Sequence, residues 1–143
     1  MKKYAIGYTQ GVYDMFHIGH LNLINHAKEY CDYLIVGVNS DALVQSYKHR
    51  IPVIKQEDRK VIVENIRAVD RCIIATTLDK TEIWNQLHFE AIFIGADWLG
   101  NERWKKTQEQ LARFGVDVVY LPHTDGVSST SLKPERGNKI EEE

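Results

Sequence analysis

Cysteine is scarce in this chain: there are two in 143 residues, Cys31 and Cys72. They stand far apart, show no metal-ligand spacing and lie at the edges of apolar segments, which reads as two buried, reduced thiols. Charge of one sign is also lacking. Lys and Arg number 18 against 20 Asp and Glu, a net charge of −2. The molecule as a whole therefore does not attract polyanions, which weighs against a general nucleic-acid binder, and any anion site must be a local cluster of Lys, Arg and His. Long apolar runs are missing too, so no membrane span is expected, and the opening MKKYAIGY turns polar too early for a signal peptide. A reducing cytoplasm is the expected location. Neither an internal repeat nor a linker interrupts the sequence. One soluble domain over residues 1–133 is expected, followed by a charged tail, 134–143 (PERGNKIEEE), that should fray. With 43% hydrophobic residues the chain has the material for a core.

What is present is an alternation of apolar runs and helical patterns. Strands are predicted at 4–8, 33–38 (YLIVGV), 71–75 (RCIIA), 91–94 (AIFI) and 116–121 (VDVVYL). Leu21, Ile24 and Ala27 have helical spacing. So do Val61, Ile62, Ile66 and Val69, with Glu57 and Asp58 near the start, where the helix dipole favours acids. Further helices are predicted at 80–88 and at 102–114, the latter ended by Gly115, and residues 128–131 suit the cap of a final turn. Strands that are apolar without alternation are buried on both faces. The pattern β-α-β-α-β-α-β-α-β therefore predicts an α/β, Rossmann-like three-layer fold with a five-stranded parallel sheet and right-handed crossovers.

In such sheets ligands bind beyond the carboxyl ends of the strands, where the strand order reverses. Four loops fall there: GVYDMFHIGH (11–20), residues 39–52, GADWLG (95–100) and PHTDGVSST (122–130). All are rich in Gly, His, Asp, Ser or Lys. If Gly19 and His20 lie in the first turn of a helix, its free amides form an anion site. His17 and His20, at i and i+3, then share a face, while Gly11 and Gly19 allow close backbone approach. A phosphate chain held by a helix N-terminus and two imidazoles suits this arrangement. Two other readings stay open: a zinc site, with Asp14 the one obvious third ligand, and a pair of satisfied structural histidines.

GVYDMFHIGH resembles the signature of the HxGH nucleotidyltransferases, G-x-F-D-x-x-H-x-G-H, with Tyr13 where Phe is commoner. PHTDGVSSTSLK (122–133) resembles the R-T-E-G-I-S-T-S/T stretch of the cytidylyltransferase branch, which includes the glycerol-3-phosphate, choline-phosphate and ethanolamine-phosphate cytidylyltransferases. GADW (95–98) is similar to that branch's G-D-D-W. The resemblance runs from about residue 4 to residue 133, and the chain length is most like the glycerol-3-phosphate type. It implies that a substrate phosphate oxygen attacks the α-phosphorus of CTP and pyrophosphate leaves, with no covalent enzyme intermediate. Positioning and charge stabilisation then do the catalysis. A Mg2+ ion would accompany CTP, held largely by substrate oxygens and water. By analogy with relatives the chain would form a homodimer.

The resemblance also implies roles for single residues. His17 and His20 would contact the CTP phosphates. Thr9 and Gly11 would lie under the nucleotide. Asp14 would order the loop or sit near the metal, or simply cap the helix. Lys48, in SYKHRIPVIKQEDR (46–59), matches a lysine that reaches the α-phosphate and the substrate phosphate. Arg59 and Arg67, eight apart and so on one helix face, match arginines near the triphosphate; an ordinary salt bridge is their alternative. Lys80 falls where the acceptor substrate is held, with Trp84 nearby as core. Asp97 and Trp98 would lie by the cytosine and ribose, with plain packing the alternative for Trp98. His123, Thr124, Ser128, Ser129 and Thr130 would bind the triphosphate. Two departures stand out. His123 replaces an Arg, which implies a nucleotide grip that is weaker, pH-dependent or shared, and Ala96 replaces a carboxylate.

Three rival readings follow. IPVIKQEDR (51–59) is also similar to the R-P-V-x-x-x-x-x-R loop of ATP-using FAD synthetase and heptose-phosphate adenylyltransferase domains. A non-catalytic nucleotide sensor would bind CTP without turnover. An adaptor with a vestigial pocket would bind no nucleotide. Glycerol phosphate is the default acceptor, because no aromatic or acidic cage for choline is seen.

Overall fold

The structure, a computed structural model, describes residues 2–122. Five strands, β1 (Tyr4–Gly11), β2 (Cys31–Asn39), β3 (Arg71–Ala75), β4 (Ala91–Gly95) and β5 (Asp117–Leu121), form one parallel sheet in the order β3-β2-β1-β4-β5. The helices are α1 (Ile18–Lys28), α2 (Asp41–Lys48), α3 (Gln56–Glu64), α4 (Lys80–Leu87) and α5 (Glu102–Ala112), with a 3-10 turn at Ala96–Trp98.

Successive strand residues feed two separate cores. Leu34, Val36 and Val38 of β2 and Phe93 of β4 pack with Ile24 and Ala27 of α1 and Val63 of α3. Ile35, Ile92 and Ile94 point the other way and pack with Ile83 of α4 and Trp104 and Leu111 of α5. A strand buried on both faces has no polar side to show, and this is why these runs read as continuous apolar stretches. The result is the three-layer α/β fold expected. Polar caps start three of the helices: Ser40 accepts from Leu43 N at 3.1 Å, Asp79 from Thr81 N at 3.0 Å and Asn101 from Trp104 N at 3.2 Å.

The structure departs from the sequence reading in two helices. Residues 39–52 were expected to be a loop, but α2 occupies most of that segment. It is only eight residues long and buries only Val44, so its apolar stripe is short, and its signal was the cap Ser40. The third helix stops at Glu64 and does not run on to Val69. Ile66 and Val69 still pack on the first core, but from successive turns, in which Ile66 N donates to Val63 O and Val69 N to Ile66 O. The chain winds β1-β2-β3 to one side and then returns to β4-β5 on the other. The switch point therefore lies between β1 and β4, with the β1–α1 loop and the 3-10 turn at its mouth.

Candidate functional site

The β1–α1 loop is bent to an unusual degree. Tyr13 and Met15 have φ of 55° and 50°, the left-handed region that non-glycine residues enter at a cost of about 1–3 kcal/mol each. Two contacts hold it there. Tyr13 is buried; burial pushes its phenol pKa upward, partly offset by a hydrogen bond with Thr9. The buried Asp14 carboxylate accepts from Val53 N at 2.8 Å and Ile54 N at 3.0 Å, which ties this loop to the α2–α3 connection.

The bend delivers His17 as the N-cap of α1. Its Nδ1 accepts from Gly19 N at 3.0 Å, and His20 Nδ1 accepts from His17 N at 3.2 Å. The two histidines thus form a reciprocal capping box, a part usually taken by Ser or Thr with Glu or Gln. Their rings stack at 3.9 Å between centroids, and Tyr13 and Phe16 frame His20 at 5.5 and 5.2 Å. With Nδ1 accepting, a neutral imidazole carries its proton on Nε2. The motif therefore places two Nε2–H groups at a helix N-terminus, where amides and dipole already favour an anion. The rings thus cap the helix, as the structural-histidine reading expects, and the same capping leaves Nε2 as the proton-bearing nitrogen of a neutral ring. Among the described residues no three His, Cys, Asp or Glu side chains gather as a metal-ligand group. Asp14, the third ligand a zinc site would need, is turned to backbone amides.

Residues 8–135 match the family described as cytidylyltransferase-like. The chain belongs to the cytidylyltransferase-like family. A glycerol-3-phosphate cytidylyltransferase of Staphylococcus aureus is 34% identical over 128 residues, covering 89% of this chain and 91% of that one. An FAD synthase of Thermococcus kodakarensis is 35% identical over 117 residues, covering 79% and 76%. Among solved structures, a lipopolysaccharide core biosynthesis protein from Thermoplasma volcanium superposes with a TM-score of 0.70 at 22% identity, covering 85% of this chain and 97% of that one; that likeness speaks for the fold.

In this cytidylyltransferase-like chain the structure gathers some of the predicted site residues and separates others. His17, His20 and Gly11 lie in or beside the loop after β1. Thr9 lies within β1, buried, and its hydroxyl donates to Phe93 O at 2.9 Å, pinning β1 to β4 beneath that loop. Asp14 orders the loop and does not cap the helix, since His17 does. Lys48 is the last residue of α2 and half-buried. Lys80 opens α4, 5% exposed, with Nζ donating to Leu78 O at 2.9 Å and lying 5.1 Å from the Trp104 ring. Both lysines sit on the carboxyl side of the sheet. Asp97 is exposed in the 3-10 turn after β4.

Three placements are corrections. Arg59 is 1% exposed and turned inward. Its guanidinium donates to Val12 O, Asn39 O, Ile54 O and Asp41 Oδ1, so it braces the loops and does not face a triphosphate. Arg67 is not on a helix with it: α3 has ended, and Arg67 lies exposed in the turns before β3, at the amino edge of the sheet, opposite the site. Trp98 is 7% exposed and packs edge-on to Trp104 at 6.5 Å, the packing that stood as its alternative. His123, Thr124, Ser128, Ser129 and Thr130 lie outside the described residues. Sequence reasoning missed Gln10, Asn39 and Tyr47, which form a buried polar chain at the strand ends; single amides in apolar strands carry no motif, and only their position beside the loops marks them.

Proposed function

We propose that the chain transfers CMP from CTP to sn-glycerol 3-phosphate, forming CDP-glycerol and releasing pyrophosphate. The observation that carries this reading is the stacked His17–His20 pair, held at the start of α1 with both Nδ1 atoms on backbone amides. An acceptor phosphate oxygen forms the new bond to the α-phosphorus of CTP as the bond to the pyrophosphate oxygen breaks. Negative charge grows on the departing oxygen and on the non-bridging oxygens. The α1 amides and two Nε2–H groups stabilise that charge from fixed positions, without reorganising during the step. Lys48, at the end of α2, and Lys80, at the start of α4, bring ammonium groups to the acceptor phosphate and α-phosphate.

In this reading Mg2+ arrives with CTP. Among the described residues no acidic cluster is built to hold it, so phosphate oxygens and water would be its main ligands, in keeping with its preference for keeping waters. The domain extends to residue 133, the DGVSST segment adds hydroxyls to the triphosphate, and the enzyme works in the cytoplasm as a homodimer. Among the described residues no helix is long and apolar enough to cross a membrane.

A pyrophosphate-release screen tests the reaction. CTP and ATP, each with Mg2+, are offered with sn-glycerol 3-phosphate, phosphocholine and phosphoethanolamine. Turnover with CTP and glycerol phosphate is expected, and mass spectrometry should find CDP-glycerol. Turnover with ATP alone would move the chain toward the adenylyl-transfer chemistry of its FAD synthase relative. CTP binding without turnover would leave a sensor.

A further inference from the structure

The amide of Gln10 sits at a junction of the strand ends. Its Nε2 donates to Asn39 Oδ1 at 2.8 Å and to Thr77 O at 3.1 Å, while its Oε1 accepts from Tyr8 OH at 2.6 Å. Asn39 Nδ2 in turn donates to Tyr47 OH at 3.1 Å. Gln10 is 8% exposed and Asn39 fully buried. The direction of the whole chain is set by one group. Thr77 O can only accept, so the nitrogen of Gln10 must face it. The oxygen of Gln10 must then face Tyr8, Asn39 must offer its oxygen to Gln10, and its nitrogen is left for Tyr47. The sheet makes room for this chain: a Cβ at Gly37 would lie 2.1 Å from the Tyr8 hydroxyl oxygen, so β2 has a glycine where the hydroxyl passes.

The two ends of this chain are informative. Tyr47 precedes Lys48 in the last turn of α2. Thr77 and Leu78 lie in the short β3–α4 connection, and the carbonyl of Leu78 holds the buried ammonium of Lys80. We propose that Gln10, through Asn39, is a positioning residue for the acceptor side of the reaction: it fixes the connection that aims Lys80 against the helix end that carries Lys48. The proposal rests on the transfer reaction above. Neither amide touches substrate; both act by setting where two ammonium groups stand. A shift of this connection would misplace the acceptor phosphate and leave the histidine pair, built on β1 and α1, in place.

The test uses two variants of the full chain. Gln10→Met keeps the volume and removes every hydrogen bond of the amide. Gln10→Glu keeps the shape and the Tyr8 contact but turns an oxygen toward Thr77 O and Asn39 Oδ1. In both, the KM for glycerol phosphate should rise about tenfold, the effect of roughly one lost buried hydrogen bond, while the KM for CTP stays within about twofold. For Gln10→Glu the excess in acceptor KM over wild type should shrink as pH falls and the carboxyl regains a proton to donate; a merely structural role would not give that trend. Amide hydrogen exchange over residues 76–80 should quicken in Gln10→Met, with exchange over residues 18–22 unchanged. If Gln10→Met fails to fold, Gln10→Glu carries both measurements. Equal shifts in the two KM values, or no shift in a folded variant, overturn the proposal. Wild-type protein inactive with every acceptor overturns the reaction and not the positioning, which the exchange measurement then decides alone: unchanged exchange over 76–80 sinks it.

Discussion

His17 does two jobs, and a substitution can part them. As N-cap it satisfies Gly19 N; as an imidazole it offers Nε2–H to an anion. His17→Ala should lose both, costing about 1 kcal/mol of stability from the missing cap and about a hundredfold or more in turnover, the scale on which removing one charge-stabilising donor acts. Asn is among the best N-caps, so His17→Asn should keep near-wild-type stability in a urea melt and still lose the turnover. An Asn variant that works at the wild-type rate would show that the ring is only a cap. The pair was legible in the sequence as a candidate because GVYDMFHIGH resembles a known signature and follows an apolar run, where a helix start was expected. Its capping geometry was not, because His is an unusual cap and the i,i+3 spacing alone does not say which ring nitrogen faces the backbone.

At the scale of elements, Arg59 shows how a motif position can be right and its role different. Standing on α3, it ties together the ends of β1 and β2, the start of α2 and the loop before α3, through Val12 O, Asn39 O, Asp41 and Ile54 O. Asp14 secures that same α2–α3 connection from the other side. Arg59→Met would leave three carbonyls short of donors and Asp41 without its ion-pair partner. Because Asp41 is partly solvated, most of the cost falls on the carbonyls, and a loss of about 3–5 kcal/mol is expected. That is a large share of the total for a domain stable by about 5–15 kcal/mol, and the urea midpoint should fall accordingly. A loss under about 1 kcal/mol would mean that the guanidinium is not a brace. The strands were readable from sequence because double-sided burial writes itself as unbroken apolar runs; β3 falls at 71–75 as expected. Helix α2 was not, since it buries one residue; the start of α3 was, from Glu57 and Asp58, but its end was overrun because the apolar set after it packs from turns. Arg67 was misplaced for that second reason: once the helix ends at Glu64, an eight-residue spacing no longer means a shared face.

Across the whole molecule the two edges of the sheet have different tasks. The carboxyl edge holds strained loops, a buried lysine and histidine donors. The amino edge holds plain ties, and Asp70 is the clearest: it accepts from Leu34 N at 2.8 Å and pairs with Lys28 at the end of α1. Burial alone would raise its pKa, but the Lys28 ammonium and the Leu34 amide outweigh burial and hold the carboxyl below its ordinary 3.8. An acid whose pKa is lower folded than unfolded stabilises the fold above the unfolded value, and that contribution disappears as pH drops through the folded one. Asp70→Asn should therefore be less stable than wild type at pH 7 by about 0.5–1.5 kcal/mol, given partial solvent screening. In Tm this amounts to a few degrees for a domain of this size. The gap should hold down to about pH 4 and close below it, as the wild-type carboxyl protonates. Turnover at pH 7 should be unchanged, because Asp70 and Lys28 stand at the end of α1 opposite the histidine pair. Thermal melts of both proteins from pH 7 to pH 2, with one rate measurement at pH 7, check the division. A gap that persists in strong acid would assign the effect to packing and not to charge, and a slowed reaction would mean that the two edges are coupled through the sheet.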